Sequence, residues 1–169
     1  MNAVIAKPAY WAFCWGSGLA TARWLLAEPQ WVAGKSVLDL GTGSGVVAIA
    51  ANLAGARRVI ACDNDTGALS ATEHNSRLNQ VELELCDDLY AASDVDVMFL
   101  ADVLYDRANF PLIELAKQKC QTLIIADSRI KDVEDSSFRL FHELEATTLP
   151  NLGEFEEFRT VRFFLWQAS

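Results

Sequence analysis

The stretch "VLDLGTGSGVVAIA", residues 37–50, constrains the fold more than any other part of the chain. It places three glycines at alternate positions between two apolar runs. A short apolar run that ends in glycines is typical of a buried strand, and the longer run after them is typical of a helix. We therefore predict a strand over 36–40, a turn from Gly41 to Gly45 and a helix over roughly 44–54.

The rest of the chain continues this alternation of strands and helices. Strands are predicted over 36–40, 58–62, 81–85, 95–101, 122–127, 142–149 and 160–166, and helices over roughly 18–26, 44–54, 66–79, 107–119 and 130–140. Alternating strands and helices indicate right-handed βαβ units and an α/β fold with a doubly wound, mostly parallel, Rossmann-like sheet. The last two strands follow each other directly, with Pro150 and Gly153 between them, so we predict a C-terminal hairpin whose last strand is antiparallel.

We interpret residues 1–169 as a single domain, with an N-terminal aromatic segment and helix over 1–35 and the Rossmann-like core over 36–169. No apolar run reaches the roughly 18 residues of a membrane span, and residues 1–13 lack the pattern of a signal peptide. We therefore expect a cytoplasmic protein without a membrane partner. The sequence also shows no coiled coil and no long apolar edge strand, which favours a monomer or weak dimer.

The charge of the chain argues against nucleic acid as a partner. The formal net charge is −9, from 14 basic and 23 acidic residues, and the basic residues do not cluster beyond Arg57 and Arg58. A protein that binds a phosphate backbone usually carries a basic face.

The four cysteines are not at C-x-x-C spacing, so no metal site is predicted, and Cys62 and Cys120 are interpreted as buried free thiols.

The glycine turn favours S-adenosylmethionine (SAM) over a dinucleotide. Glycines allow a ligand to approach the backbone closely, and ligands of open α/β sheets lie at the carboxyl ends of the strands. The dinucleotide pattern G-x-G-x-x-G is not met, because Gly45 comes one residue early. Asp39 would repel a pyrophosphate but suits the ammonium group of SAM, which has no phosphate. We predict cofactor contacts from Asp39, Gly41, Gly43 and Gly45.

The next two strands also end in acids. Asp63 lies 22 residues after Gly41, where an acid can accept bonds from both ribose hydroxyls, and Asn64 beside it is predicted to share the site. Asp65 is better suited to cap the helix that follows. At the end of the third strand, Asp87 or Asp88 is predicted to accept a bond from the adenine amino group, and the spacing leaves the choice between them open.

These motifs resemble those of the seven-β-strand SAM-dependent methyltransferases, from about Tyr10 to the last strand. "LDLGTGSG" is similar to the first motif of that superfamily and "ACDND" to its second. The resemblance implies the strand order 3-2-1-4-5-7-6 with an antiparallel seventh strand. It also implies that the cofactor is SAM and the product S-adenosylhomocysteine.

Two further stretches resemble one branch of that superfamily. "DVLYD" is similar to the D-x-x-Y motif of enzymes that methylate lysines of non-histone proteins, and "YWAFCWGSGLATARWL" is similar to their aromatic segment. Gly16 stands where that branch usually has proline. The likeness is strongest to enzymes that act on the electron transfer flavoprotein β-subunit, and ribosomal-protein methyltransferases are more distant. The resemblance implies a protein lysine as the methyl acceptor.

Asp102 and Tyr105 are the predicted catalytic residues. A free lysine has a pKa of about 10.4, so an enzyme must hold the amine, help it lose its proton and align it with the methyl group. A carboxylate at the end of the fourth strand can orient the amine, and a tyrosine hydroxyl three residues later can assist. The alternative is that Asp102 caps the following turn and Tyr105 packs. Trp15 is predicted to line the cofactor pocket, whereas the other N-terminal tryptophans are interpreted as packing residues.

Three functions stay open at this point. The first is a SAM-dependent methyltransferase that acts on a lysine of a protein. The second is a methyltransferase that acts on a small amine or on another protein nucleophile. The third is a SAM-binding protein without catalytic activity. The D-x-x-Y sequence argues against the third.

Overall fold

The computed structural model describes residues 8–153 and 155–168. Within these residues, seven strands form one sheet: β1 Ser36–Leu40, β2 Arg58–Cys62, β3 Glu84–Cys86, β4 Val95–Ala101, β5 Cys120–Asp127, β6 Arg139–Glu145 and β7 Thr160–Gln167. The α-helices are α1 Gly16–Ala27, α2 Val46–Leu53, α3 Thr66–Leu78 and α4 Pro111–Lys119. Short 3-10 turns cover Tyr10–Ala12, Pro29–Trp31, Arg107–Asn109 and Glu156–Phe158.

The strands lie in the order β3-β2-β1-β4-β5-β7-β6. The pairs from β3 to β5 are parallel, and β7 runs antiparallel to both β5 and β6. This confirms the predicted α/β class with its antiparallel C-terminal hairpin, and also the strand order that the resemblance implied. Because β1 to β5 are parallel, their carboxyl ends meet at one edge of the sheet. The β6–β7 connection lies at that same edge, since Asp127 at the end of β5 pairs with Arg162 near the start of β7.

Each face of the sheet carries its own hydrophobic core. Alternate residues of β4, such as Val97 and Phe99, pack with α1 and α2 on one face. Their neighbours Met98 and Leu100 pack with α4 on the other face. Burial on both faces explains why β4 and β5 appear in the sequence as continuous apolar runs. The two cores hold rigid the strand ends on which the polar side chains lie.

The predicted helix over 130–140 is wrong. The chain from 130 to 138 is not helical, and β6 begins at Arg139, inside the predicted helix. Aspartate side chains bind backbone N–H groups in and just before this segment. Asp127 Oδ1 accepts bonds from the N–H groups of Arg129 and Ile130, and Asp135 Oδ1 accepts one from the N–H of Ser137. Such local bonds from aspartate compete with helix formation.

Other element boundaries differ from the prediction by a few residues. The strand predicted over 81–85 is β3, Glu84–Cys86, and the strand predicted over 142–149 is β6, Arg139–Glu145. The helix predicted over 107–119 is divided into a 3-10 turn and α4, which begins at Pro111. Proline suits the first position of a helix because its missing N–H would have no partner there. In the described part of the chain, the helices are too short or too polar to cross a membrane.

Candidate functional site

The glycine turn follows β1 at the carboxyl edge of the sheet. All three of its glycines have positive φ, and Gly45, at φ 83°, directly precedes α2. A Cβ at Gly45 would lie 2.9 Å from Thr72 Cγ2, and one at Gly41 would lie 2.7 Å from Val103 Cγ2. A Cβ at Gly43 would meet nothing closer than 3.9 Å. The first and third glycines are therefore required by packing, whereas a Cβ at the middle one would make only ordinary van der Waals contacts with Gly41 O and Trp11 Cα.

Asp39 lies buried beneath this turn. Its Oδ2 accepts bonds from Thr42 Oγ1 at 2.7 Å and from the N–H of Ala48 at 3.2 Å. Burial raises the pKa of Asp39 to about 6; the two hydrogen bonds oppose this rise and the negative charge of Asp63 adds to it. A cation near Asp39 would relieve the unfavourable charge, because an opposite charge favours the ionised form of a carboxyl group.

Asp63 joins the end of β2 to the glycine turn. Its Oδ2 accepts a bond from the N–H of Gly43, and its Oδ1 accepts one from the N–H of Asp65, both at 3.0 Å. Each oxygen keeps a further lone pair with which to accept a ligand hydroxyl. Asn64 is exposed in the same turn. Asp65 Oδ1 accepts a bond from Gly67 N at 2.7 Å, which confirms its predicted role as the cap of α3.

The acids at the end of β3 are exposed. Asp88 Oδ1 accepts a bond from the N–H of Tyr90 at 2.9 Å, so part of its carboxylate shapes the local turn. The choice between Asp87 and Asp88 as an adenine contact stays a prediction. The turns that follow β1, β2 and β3 carry several carboxylates and contain no Lys or Arg. This set of side chains fits a ligand with an ammonium group and hydroxyls, such as SAM, and would repel a phosphate.

The N-terminal aromatic segment lies against the glycine turn that follows β1. Trp15 Nε1 donates a bond to the carbonyl oxygen of Tyr10 at 2.8 Å, and the rings of these two residues are 6.0 Å apart. Trp11 lies against both the glycine turn and the start of α3. Its Cα is 3.9 Å from the position that a Cβ would take at Gly43, and its Nε1 is 2.8 Å from the position that a Cβ would take at Gly67. The sequence interpretation missed this position of Trp11. The adjacent Cys14 pairs with Leu149 of the β6–β7 connection.

The other two N-terminal tryptophans pack as expected. Trp24 and Trp31 have ring centroids 5.1 Å apart, and both contact Phe141 of β6. They line a cavity of about 520 Å³ between α1 and β6. None of the predicted site residues lines this cavity.

Asp102 follows β4 and contacts the start of α1. Its Oδ1 accepts a bond from Ser17 Oγ at 2.6 Å, and its Oδ2 accepts one from Ser17 N at 2.9 Å. Its φ is +54°, in the left-handed region that aspartate and asparagine tolerate better than most residues. Burial raises the pKa of Asp102 to about 6; the bonds from Ser17 oppose this rise, and the charge of Asp127 adds to it. Sequence interpretation missed Ser17, whose only signal was a hydroxyl at the start of a helix.

Tyr105 lies at the surface beside the aromatic segment. It is 50% exposed, and its ring lies 5.7 Å from that of Tyr10, which is 47% exposed. Partial burial raises its pKa, and the nearby Tyr10 and Asp106 add to that effect. The turn after β4 is capped by Asp106, whose Oδ1 accepts a bond from Ala108 N, and not by Asp102 as the alternative interpretation expected.

Asp127, at the end of β5, was also missed. It is 1% exposed, and its Oδ1 accepts bonds from the N–H groups of Arg129 and Ile130. Its Oδ2 is buried without a hydrogen-bond partner among the described residues. Burial raises the pKa of this carboxyl group, whereas the two backbone bonds and the charge of Arg129 oppose the rise. The four parallel strands from β2 to β5 thus each end in or beside an acid at one edge of the sheet.

Known proteins resemble this chain in both sequence and fold. The family model described as ribosomal protein L11 methyltransferase (PrmA) matches residues 12–133. The electron transfer flavoprotein beta subunit lysine methyltransferase of Danio rerio is 35% identical over 170 residues, covering 95% of this chain and 66% of that protein. The Homo sapiens protein of the same name is 44% identical over 115 residues, covering 66% of this chain and 44% of that protein. The chain thus spans about two thirds or less of these relatives.

A solved structure shares the fold at low sequence identity. Magnesium protoporphyrin IX methyltransferase from Synechocystis PCC 6803, solved with bound SAM, superposes with a TM-score of 0.68 at 16% identity. The match covers 90% of this chain and 78% of that one. The predicted resemblance to seven-β-strand methyltransferases is therefore confirmed for the fold. Because the family model matches well over half of the chain, the protein belongs to the ribosomal protein L11 methyltransferase (PrmA) family.

Proposed function

We propose that this protein is a SAM-dependent methyltransferase that methylates a lysine side chain of a protein substrate. The observation that carries the proposal is the arrangement of acids at one sheet edge. Asp39 and Asp63 flank the glycine turn, and Asp102 lies at the end of the adjacent strand β4. Asp39 and Asp63 suit a cofactor that has an ammonium group and a ribose. Asp102 suits an amine as the methyl acceptor.

The residues around the glycine turn would hold the cofactor. Asp63 would accept bonds from the ribose hydroxyls, Asp39 would favour the ammonium group, and Asp87 or Asp88 would meet the adenine. Trp15 and the backbone of the glycine turn would contact the rest of the molecule. When bound, SAM supplies a methyl group on a positively charged sulfur.

Asp102 would bind the lysine and manage its proton. Ser17 holds both carboxylate oxygens in place through bonds of 2.6 and 2.9 Å, and each oxygen keeps lone pairs for the incoming ammonium. An ammonium–carboxylate bond is charge-assisted and therefore strong. With its pKa raised to about 6, Asp102 is a better proton acceptor at neutral pH than an ordinary carboxylate. Tyr105 would steady the amine from the solvent side.

The openness of the site supports a protein substrate over a small amine. Tyr105 and Tyr10 are each about half exposed, so the end of β4 opens to solvent beside two aromatic rings. A lysine that projects from a large partner could reach such a site, whereas a small amine would be held by few contacts. The names of the relatives favour the same class of substrate, so the electron transfer flavoprotein β-subunit is the first substrate to test. We expect the enzyme to act as a monomer or weak dimer in the cytoplasm, without nucleic acid or membrane partners.

The test is a labelled-methyl assay on cell lysate and on purified electron transfer flavoprotein. A labelled protein band supports the proposal, and label confined to small molecules favours methylation of a small amine instead. Complete absence of transfer, together with measurable SAM binding, would leave a SAM-binding protein without activity. An Asp102→Asn variant controls for contaminating methyltransferases, because it should remove the signal.

A further inference from the structure

Asp127 is a buried acid next to the proposed lysine site. Asp127 uses Oδ1 to shape the turn after β5, but that turn makes no use of Oδ2. Oδ2 is buried and lacks a hydrogen-bond partner among the described residues. An unpaired buried carboxylate is costly to the fold. An asparagine would supply the same Oδ1 acceptor without a charge, so the turn alone does not explain an aspartate here.

Asp127 is a direct neighbour of Asp102 across the sheet. Ala101 of β4 pairs with Ala126 of β5, so the two aspartates occupy the next position on adjacent strands. The backbone N–H of Asp102 donates a bond to the carbonyl oxygen of Ala126 at 3.1 Å, which fixes the two strand ends together. The negative charge of Asp127 acts on Asp102 and raises its pKa. The two carboxyl groups are therefore coupled.

We propose that Asp127 is a positioning residue for methyl transfer, whose buried carboxylate keeps Asp102 ready to accept the proton of the lysine ammonium. This inference rests on the proposed function. Two like charges at neighbouring strand ends resist simultaneous ionisation, so the pair holds a proton more readily than an isolated carboxylate. When the ammonium binds, its N–H bond breaks and an O–H bond forms on Asp102. The nitrogen keeps the electron pair as the lone pair that would form the new C–N bond, while the bond from the methyl carbon to sulfur would break and its electrons would stay on sulfur in S-adenosylhomocysteine.

The charges around Asp102 determine the direction of the expected effect. Helix α1 contributes only the hydroxyl and N–H of Ser17, and the β5 end contributes Asp127 and Arg129. The guanidinium of Arg129 lies 5.4 Å from the ring centroid of Phe158 and lowers the pKa of Asp102. If Asp127 loses its charge, burial still raises the pKa of Asp102, but no neighbouring carboxylate then offsets Arg129, so the pKa falls. The acid limb of the pH–rate profile should then move to lower pH.

The test compares Asp127→Asn with the wild-type enzyme and with a matched control. Asparagine keeps the Oδ1 acceptor and replaces the unpaired Oδ2 with a neutral amide nitrogen. We expect the acid limb to move down by on the order of one pH unit, with kcat lowered at neutral pH and SAM affinity unchanged. Asp106→Asn is the control, because Asp106 makes the same kind of turn but is exposed. It should leave the acid limb in place. Asp127→Ser, which can also accept the turn bonds, replaces Asp127→Asn if that variant folds poorly.

A second readout does not depend on activity. Carboxyl carbon NMR of aspartate-labelled protein follows the titration of Asp102, identified by the signal that Asp102→Asn removes. A fall in the pKa of Asp102 in Asp127→Asn supports the inference. An unchanged titration in an active enzyme overturns the inference and leaves the proposed function intact. A wild-type enzyme that transfers no methyl group overturns both, whatever the NMR shows.

Discussion

Replacing Asp102 with asparagine isolates the charge that the proposed mechanism needs. Asparagine tolerates the left-handed backbone at this position, where φ is +54°. It can also keep both contacts with Ser17, since its oxygen can accept from the Ser17 N–H and its amide can donate to the hydroxyl oxygen. The change therefore removes the carboxylate while preserving the local structure.

The expected loss is large for transfer and small for cofactor binding. Without a proton acceptor and an ion-pair partner for the amine, methyl transfer at saturating SAM should fall about 10²-fold or more, or roughly 2.7 kcal/mol of barrier. SAM affinity, measured by calorimetry, should change by less than about 1 kcal/mol, because its proposed contacts lie on β1 to β3. A wild-type rate in the variant, or a loss of SAM binding in proportion to activity, would refute the assigned role.

The pH profile gives a second signature of Asp102. Because its pKa is raised to about 6, the carboxylate is ionised above that pH and protonated below it. Wild-type activity should therefore fall as pH drops through about 6, and should climb between about pH 7 and 9 as neutral lysine becomes commoner. The asparagine variant should lose the limb near pH 6 and keep the rise at higher pH.

Three further substitutions test the cofactor side and the tyrosine. Asp63→Ala should weaken SAM binding by about 1.5–3 kcal/mol in calorimetry, and unchanged affinity would remove Asp63 from the site. Ionised Asp39 destabilises the fold above about pH 6, since its folded pKa exceeds the ordinary 3.8. Asp39→Asn should therefore keep or raise the free energy of unfolding in urea at neutral pH, by up to roughly 3 kcal/mol, while weakening SAM binding; a large loss of stability would contradict this. Tyr105→Phe should slow transfer less than Asp102→Asn, since it loses only a hydroxyl and keeps the ring beside Tyr10; an equal loss would make the hydroxyl essential.

The sheet and the glycine turn could be predicted because their signals are local. Residues 36–40 form a strand buried on both faces, and Gly41 and Gly45 occupy positions where packing excludes a side chain. These constraints leave apolar runs and glycines that can be recognised in the sequence. The position of Asp63 beside the glycine turn could also be predicted from its distance in sequence from Gly41, because one βαβ unit joins them.

The contacts that complete the site join distant parts of the chain. Ser17 and Asp102 are 85 positions apart, and nothing in either segment indicates the other. The buried Oδ2 of Asp127 follows from packing around the end of β5, which composition does not reveal. The helix prediction over 130–140 was wrong for a similar reason, since the side chains of Asp127 and Asp135 accept bonds from backbone N–H groups there.

The most direct test of the account is tandem mass spectrometry of a protein substrate after reaction with isotope-labelled SAM. The wild-type enzyme should place the labelled methyl group on a lysine ε-nitrogen, and Asp102→Asn should leave the same peptide unmodified while still binding SAM. Label on another side chain, or equal lysine methylation by both enzymes, would contradict the proposed function and the role of Asp102.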